Sequence, residues 1–254
     1  MIKKHIFSKS IDFIVKSPRI ISLKKLNVDP IFIGGCGRSG TTLLLSVLGA
    51  HPRIQAIDHE AYFFNKFREG VINDWVRRRR IEYNIIQNPI KKTAHRWCEK
   101  TPSNILYINQ IERFFDENYK FIHLVRDGRD VVTSRHPLLE NEYWVSVDRW
   151  VNDVQAGLNY RDNKNVLLIK YEDLIINFNQ TCKAIMDFID EDYVTEVRDY
   201  HLHTNVKKDR AWKGQVRKIS ADSIKKWEKE EHKERINEFY QNHKAIELLK
   251  ELGY

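Results

Sequence analysis

"IFIGGCGRSGTTLLL", residues 31–45, reads as a buried strand that passes through a glycine-rich turn into a helix opening near Thr41. Such a layout aims unsatisfied backbone N–H groups and the positive end of a helix at an anion, usually a phosphate. Gly35 and Gly40 keep the spacing of the nucleoside-triphosphate loop, G-x-x-x-x-G-K-[ST], but the lysine position holds Thr41. The turn is therefore expected to hold an anion through backbone amides, with Arg38, Ser39, Thr41 and Thr42 as side-chain donors. It lacks the lysine that serves the β- and γ-phosphates of a triphosphate.

Working outward, strand-like apolar runs recur at 119–125 and 166–169, each followed by a helical pattern. Alternation of this kind predicts parallel strands joined by helical crossovers: a three-layer α/β fold of the P-loop type, with a central parallel sheet flanked by helices. Helical patterns are read at 62–84, 103–115, 127–134, 142–160, 172–189 and 221–252.

The 254-residue chain has room for one sizeable core and shows no composition break, so residues 28–254 are expected to form one domain behind a basic leader, 1–27. Lysines interrupt every apolar run of that leader and no cleavage site follows, which disfavours a signal peptide. It reads as a segment packing on the domain, with weak membrane-surface contact as the alternative. A formal charge of +8 favours an anionic partner without choosing among nucleic acid, headgroups, nucleotide or sulfated polymer. No recognised nucleic-acid motif accompanies the charge, so nucleic acid is not the expected partner.

Cys36, Cys98 and Cys182 are too widely spaced for a zinc site and read as reduced thiols, Cys36 being a small side chain suited to a tight turn. His201 and His203 lack carboxylate or cysteine companions and read as structural. The run Arg77 to Arg80 fits a solvated helix face and contact with an acidic acceptor equally well.

A second constellation is "FIHLVRDGRDVVTSR", residues 121–135, where a strand delivers Arg126 and the following helix delivers Ser134 eight residues later. Arginine at a strand end presents a fork suited to phosphate. The competing reading is a capped, charge-paired helix start made by Arg126, Asp127, Arg129 and Asp130.

On these two pieces the chain resembles the sulfotransferases that use 3′-phosphoadenosine 5′-phosphosulfate (PAPS), especially the Golgi-type carbohydrate and tyrosylprotein branches. "GCGRSGTTLL" is similar to that family's phosphosulfate loop, and R-D-x-R-D with a serine eight residues after the first arginine is similar to its 3′-phosphate site. The resemblance implies that Gly37, Arg38, Ser39, Gly40, Thr41 and Thr42 hold the 5′-phosphosulfate and that Arg126 with Ser134 holds the 3′-phosphate. "AHPRIQAIDHEAYFF" resembles the segment carrying the catalytic base, which implies Glu60; ungapped alignment with the tyrosylprotein branch puts His59 there instead. "WCEKTPSNIL" resembles the segment whose lysine, here Lys100, contacts the transferring group. "LLIKYEDL" resembles the end of a core strand, and "QVRKISADSIKKW" a segment that covers the cofactor, with Arg217 as a basic contact.

The implied chemistry is sulfuryl transfer to an acceptor hydroxyl, with Glu60 as general base, Lys100 and Arg38 stabilising developing charge, 3′,5′-adenosine bisphosphate (PAP) as product, and no metal. A carbohydrate or glycolipid acceptor is expected ahead of tyrosine. The absence of an anchor and of paired cysteines leads to the expectation of a cytoplasmic protein. The competing enzyme class is a P-loop kinase or nucleotide hydrolase.

Overall fold

The computed structural model describes residues 26, 28–64, 74–87, 89–136, 139, 142–206, 216 and 218–254. Every residue of β1 (Ile31–Gly34) is buried, as expected of a strand covered on both faces of a parallel sheet. It is joined by β2 (Ile54–Ala56), β3 (Arg96–Lys100), β4 (Lys120–Val125) and β5 (Val166–Lys170) in the order β2-β3-β1-β4-β5, with every pairing parallel. Ile33 stands opposite Lys100, Gly34 opposite His123, and Val125 opposite Lys170. The carboxyl ends of β3, β1, β4 and β5 are thus neighbours, and the segments that leave them meet at one edge, where open α/β sheets bind ligands.

The crossovers are α1 (Thr41–Ala50), α2 (Asp74–Ile85), a 3₁₀ turn (Pro102–Tyr107) running into α3 (Ile108–Phe115), α4 (Gly128–Val132) and α5 (Val147–Leu158). After β5 come α6 (Tyr171–Ile176), α7 (Phe178–Phe188), the single turns α8 (Thr195–Arg198) and α9 (Tyr200–His203), then α10 (Lys233–Gln241) and α11 (His243–Leu252). Side chains alternate across the sheet. Ile31, Ile33 and Cys98 join a core with Leu44, Leu45 and Leu48 of α1 and Ile185 and Met186 of α7. Phe32 and Trp97 point the other way into an aromatic layer, edge to face at 5.4 Å, with Phe63, Phe64 and Phe121 in the same cluster. The carboxyl end of α1 is held by Lys91, whose Nζ donates to the carbonyls of Gly49 (2.6 Å) and His51 (2.9 Å).

β1, β4 and β5 lie where the apolar runs put them. β2 and β3 do not follow from the pattern: β2 is three residues long, and β3 reads "RWCEK", whose charged members are all buried. The long helix expected over 62–84 is α2 alone among the described residues, since Tyr62 turns through a left-handed φ of 52°. Residues 103–115 begin as a 3₁₀ turn, 142–160 are helical only from Val147, and 172–189 divide between α6 and α7 at Asn177. Ser134, expected within the helix over 127–134, stands just beyond α4, which ends at Val132. Residues 1–25 and 27 of the leader, and Arg217, lie outside the described residues.

Candidate active site

β1 delivers the loop, and close packing dictates its glycines. A Cβ on Gly35 would stand 2.3 Å from the Leu124 carbonyl oxygen, so β1 and β4 can approach only with glycine there. Arg38 (φ 72°) and Gly40 (φ 92°) adopt left-handed conformations that swing the chain into α1. The leading amides of α1, from Thr41 and Thr42, have no intrahelical acceptor by position. Ser39 is 1% exposed, and its Oγ has no hydrogen-bond partner among the described residues. A buried orphan hydroxyl at the head of a helix, where the macrodipole favours negative charge, is what an anion's oxygens would complete. The loop residues therefore fit a 5′-phosphosulfate.

Arg126 leaves β4 buried and turned toward that loop. Its Nη1 donates to the Arg38 carbonyl at 2.9 Å, its Nη2 donates to the Ser223 carbonyl, and its guanidinium stacks on the Tyr171 ring at 4.6 Å. The two groups read separately in the sequence are therefore in contact. The helix-start reading also holds: Asp127 caps α4 by accepting the Arg129 N–H (2.9 Å) and pairs with the Arg129 guanidinium (2.7 Å), and Arg126 Nη2 lies 3.6 Å from Asp130 Oδ2. Ser134 Oγ donates back to the Asp130 carbonyl at 2.8 Å.

A covering segment lies over Arg126. The Asp130 carboxylate, pushed up by burial, accepts the N–H groups of Lys225 (2.9 Å) and Trp227 (3.1 Å), while Tyr171 OH meets Ser223 Oγ at 2.7 Å. The Trp227 ring stacks under the Arg129 guanidinium at 4.2 Å.

At the end of β3, Lys100 is 3% exposed and its Nζ donates to Glu60 Oε1 at 2.9 Å. The other carboxylate oxygen accepts the Tyr62 hydroxyl at 2.5 Å, and chiefly through that hydrogen bond the phenol is pushed up to about 12. His59 engages elsewhere, with Nε2 at 2.7 Å from Asn84 Oδ1 and Nδ1 at 3.1 Å from Asp58, a contact that raises its pKa. Of the two candidate bases, Glu60 is the one set against Lys100.

Several neighbours of the site carried no sequence signal of their role. Arg149 of α5 pairs with Asp153 at 3.5 Å and lies against the loop, its Nη2 3.4 Å from where a Gly37 Cβ would be. Burial, with the Asp153 carboxylate nearby, pushes the Cys36 thiol well up. Cys36 is thus a packed, inert thiol, as its place in a tight turn suggests. Tyr171, immediately after β5, had a positional signal: an aromatic residue at the carboxyl edge of the sheet.

The family model described as "Sulfotransferase domain" matches residues 28–253. A Caenorhabditis briggsae protein named as a protein-tyrosine sulfotransferase is 27% identical over 196 residues, 67% of this chain and 69% of its own. Matches to protein-tyrosine sulfotransferases of Caenorhabditis elegans and chicken span 60% and 50% of those proteins' lengths. Among solved structures, the sulfotransferase domain of the Synechococcus olefin synthase superposes with a TM-score of 0.59 at 19% identity, covering 90% of this chain and 96% of that one. Mouse sulfotransferase SULT7A1, crystallised with PAP, superposes at 0.53 with 17% identity and 91% of each chain covered. These two likenesses show the fold.

Proposed function

Since the chain belongs to the sulfotransferase domain family, we propose that it transfers the sulfuryl group of PAPS to an acceptor hydroxyl. The observation that carries this reading is the contact of Arg126 Nη1 with the Arg38 carbonyl, 2.9 Å. It puts a guanidinium fork beside the anion-binding loop, as a nucleotide phosphorylated at both its 3′ and 5′ ends requires.

Gly37, Arg38, Ser39, Gly40, Thr41 and Thr42 hold the 5′ end, and Arg126 with Ser134 holds the 3′-phosphate that ATP lacks. The donor, when bound, supplies the sulfuryl group. Glu60 takes the acceptor proton at Oε1 or Oε2, a role worth about 10²–10⁴ in rate. Lys100 and Arg38 stabilise charge that develops beside the loop, about 3 kcal/mol per donor. For the acceptor, the Tyr62 phenol seated on Glu60 and the names of the relatives support a phenolic hydroxyl, such as tyrosine, ahead of a carbohydrate or glycolipid.

The test is Glu60→Gln, assayed with labelled donor over tyrosine peptides, sugars and glycolipids. PAP binding should persist while turnover is lost. Turnover near that of the unaltered protein would remove Glu60 from the role, and stronger stabilisation by ATP with Mg²⁺ than by PAP would favour a kinase.

A further inference from the structure

The arginine run 77–80 is neither a bare solvated face nor an open basic patch. Arg77 stacks over Phe64 (4.9 Å) and Phe114 (5.4 Å), and Arg79 pairs with Glu82 at 2.6 Å. Arg80 reaches the loop that carries Glu60: its Nη2 donates to the Ala61 carbonyl at 2.7 Å and its Nη1 to the Tyr62 carbonyl at 3.2 Å.

The opposite side of the same two residues is held from β3. The Ala61 N–H donates to Glu99 Oε1 (3.1 Å) and the Tyr62 N–H to Thr101 Oγ1 (3.3 Å). Glu99 is fully buried and is fixed in turn by Asn104 Nδ2 at 2.7 Å and by the Thr101 hydroxyl. Both N–H and both C=O groups of the two residues after Glu60 are therefore clamped. The turn needs such a clamp. A non-glycine residue at φ 52° stores about 1–3 kcal/mol of strain and persists only when its surroundings over-determine it.

We propose that Arg80 is a positioning residue for the transfer: its two nitrogens, set on successive carbonyls, hold the Glu60 carboxylate against Lys100. The proposal rests on the reading of Glu60 as the base. A lysine cannot reproduce the fork, and a displacement of about 1 Å at a reacting group can lower the rate about 10²-fold.

The experiment compares Arg80→Ala, Arg80→Lys and Glu60→Gln by kcat, KM for donor and acceptor, PAP affinity and thermal midpoint. Arg80→Ala is expected to lower kcat by about 10²-fold with donor KM and PAP affinity unchanged. Free guanidinium ion, far below denaturing concentrations, should restore part of that loss in Arg80→Ala and none in Glu60→Gln, and Arg80→Lys should recover little. An unchanged kcat in Arg80→Ala, or a loss matched by weakened PAP binding and untouched by guanidinium, overturns the clamp. Turnover surviving in Glu60→Gln overturns the base assignment itself, whatever Arg80 does.

Discussion

A Cβ on Gly40 would stand 2.4 Å from the Tyr171 ring, and the same ring lies under the Arg126 guanidinium at 4.6 Å. One aromatic residue after β5 thus sets both the exit of the glycine-rich loop and the height of Arg126. Gly40→Ala meets two obstacles, the ring and a φ of 92°, so a loss of about 2 kcal/mol in stability is expected, together with loss of PAP binding. Thermal unfolding and titration calorimetry check it. An alanine variant that binds PAP normally would show that the loop tolerates a different path.

Arg126 is assigned the 3′-phosphate, and its fork cannot be matched by a point charge. Arg126→Lys is expected to weaken PAP binding by about 1.5–3 kcal/mol, the range for a charge-assisted hydrogen bond. Adenosine 5′-phosphate, which carries only a hydroxyl at the 3′ position, should lose little. Calorimetry with both nucleotides decides the matter, because an equal loss for the two would place Arg126 at the shared 5′ end.

The covering segment is tethered by a buried carboxylate that accepts two backbone N–H groups, those of Lys225 and Trp227. Asp130→Asn turns one of those acceptors into a donor facing a donor, leaving an N–H unpaired at about 1–3 kcal/mol. Hydrogen exchange at Lys225 and Trp227 should accelerate and PAP dissociation should quicken, with β1 and α1 protection unchanged. If the segment keeps its protection in the variant, Tyr171 and Arg129 are holding it instead.

The sequence was legible where the structure is local. The loop after β1, Arg126 and the end of β5 each declare themselves within a dozen residues, because a glycine turn or a strand end needs no distant partner. β3 was not legible, because Arg96, Glu99 and Lys100 become acceptable strand residues only once Glu191, Asn104 and Glu60 meet them. Arg80 was hidden for the same reason: its partners are carbonyls, which carry no residue identity. The choice between His59 and Glu60 turned on one position, and adjacent residues send their side chains to different neighbours, Asn84 for one and Lys100 for the other.

His123 of β4 is fully buried, neither ring nitrogen has a partner among the described residues, and burial alone pushes its pKa down to about 3 from 6.5. Below about pH 6.5 the unfolded chain therefore takes up a proton that the folded chain refuses, so stability falls as the pH drops toward 3; above 6.5 the group makes no pH-dependent contribution. At pH 5 the difference is about 2 kcal/mol, from 1.36 kcal/mol per unit. His123→Leu should flatten that acid limb in urea unfolding at pH 7.5 and pH 5. Gly157 faces the same ring, where an added Cβ would lie 2.2 Å away, so Gly157→Ala should overpack the site by about 1–3 kcal/mol. His123→Ala introduced with it should recover much of that loss. Strict additivity of the two changes would mean that a neighbour other than His123 forbids the side chain.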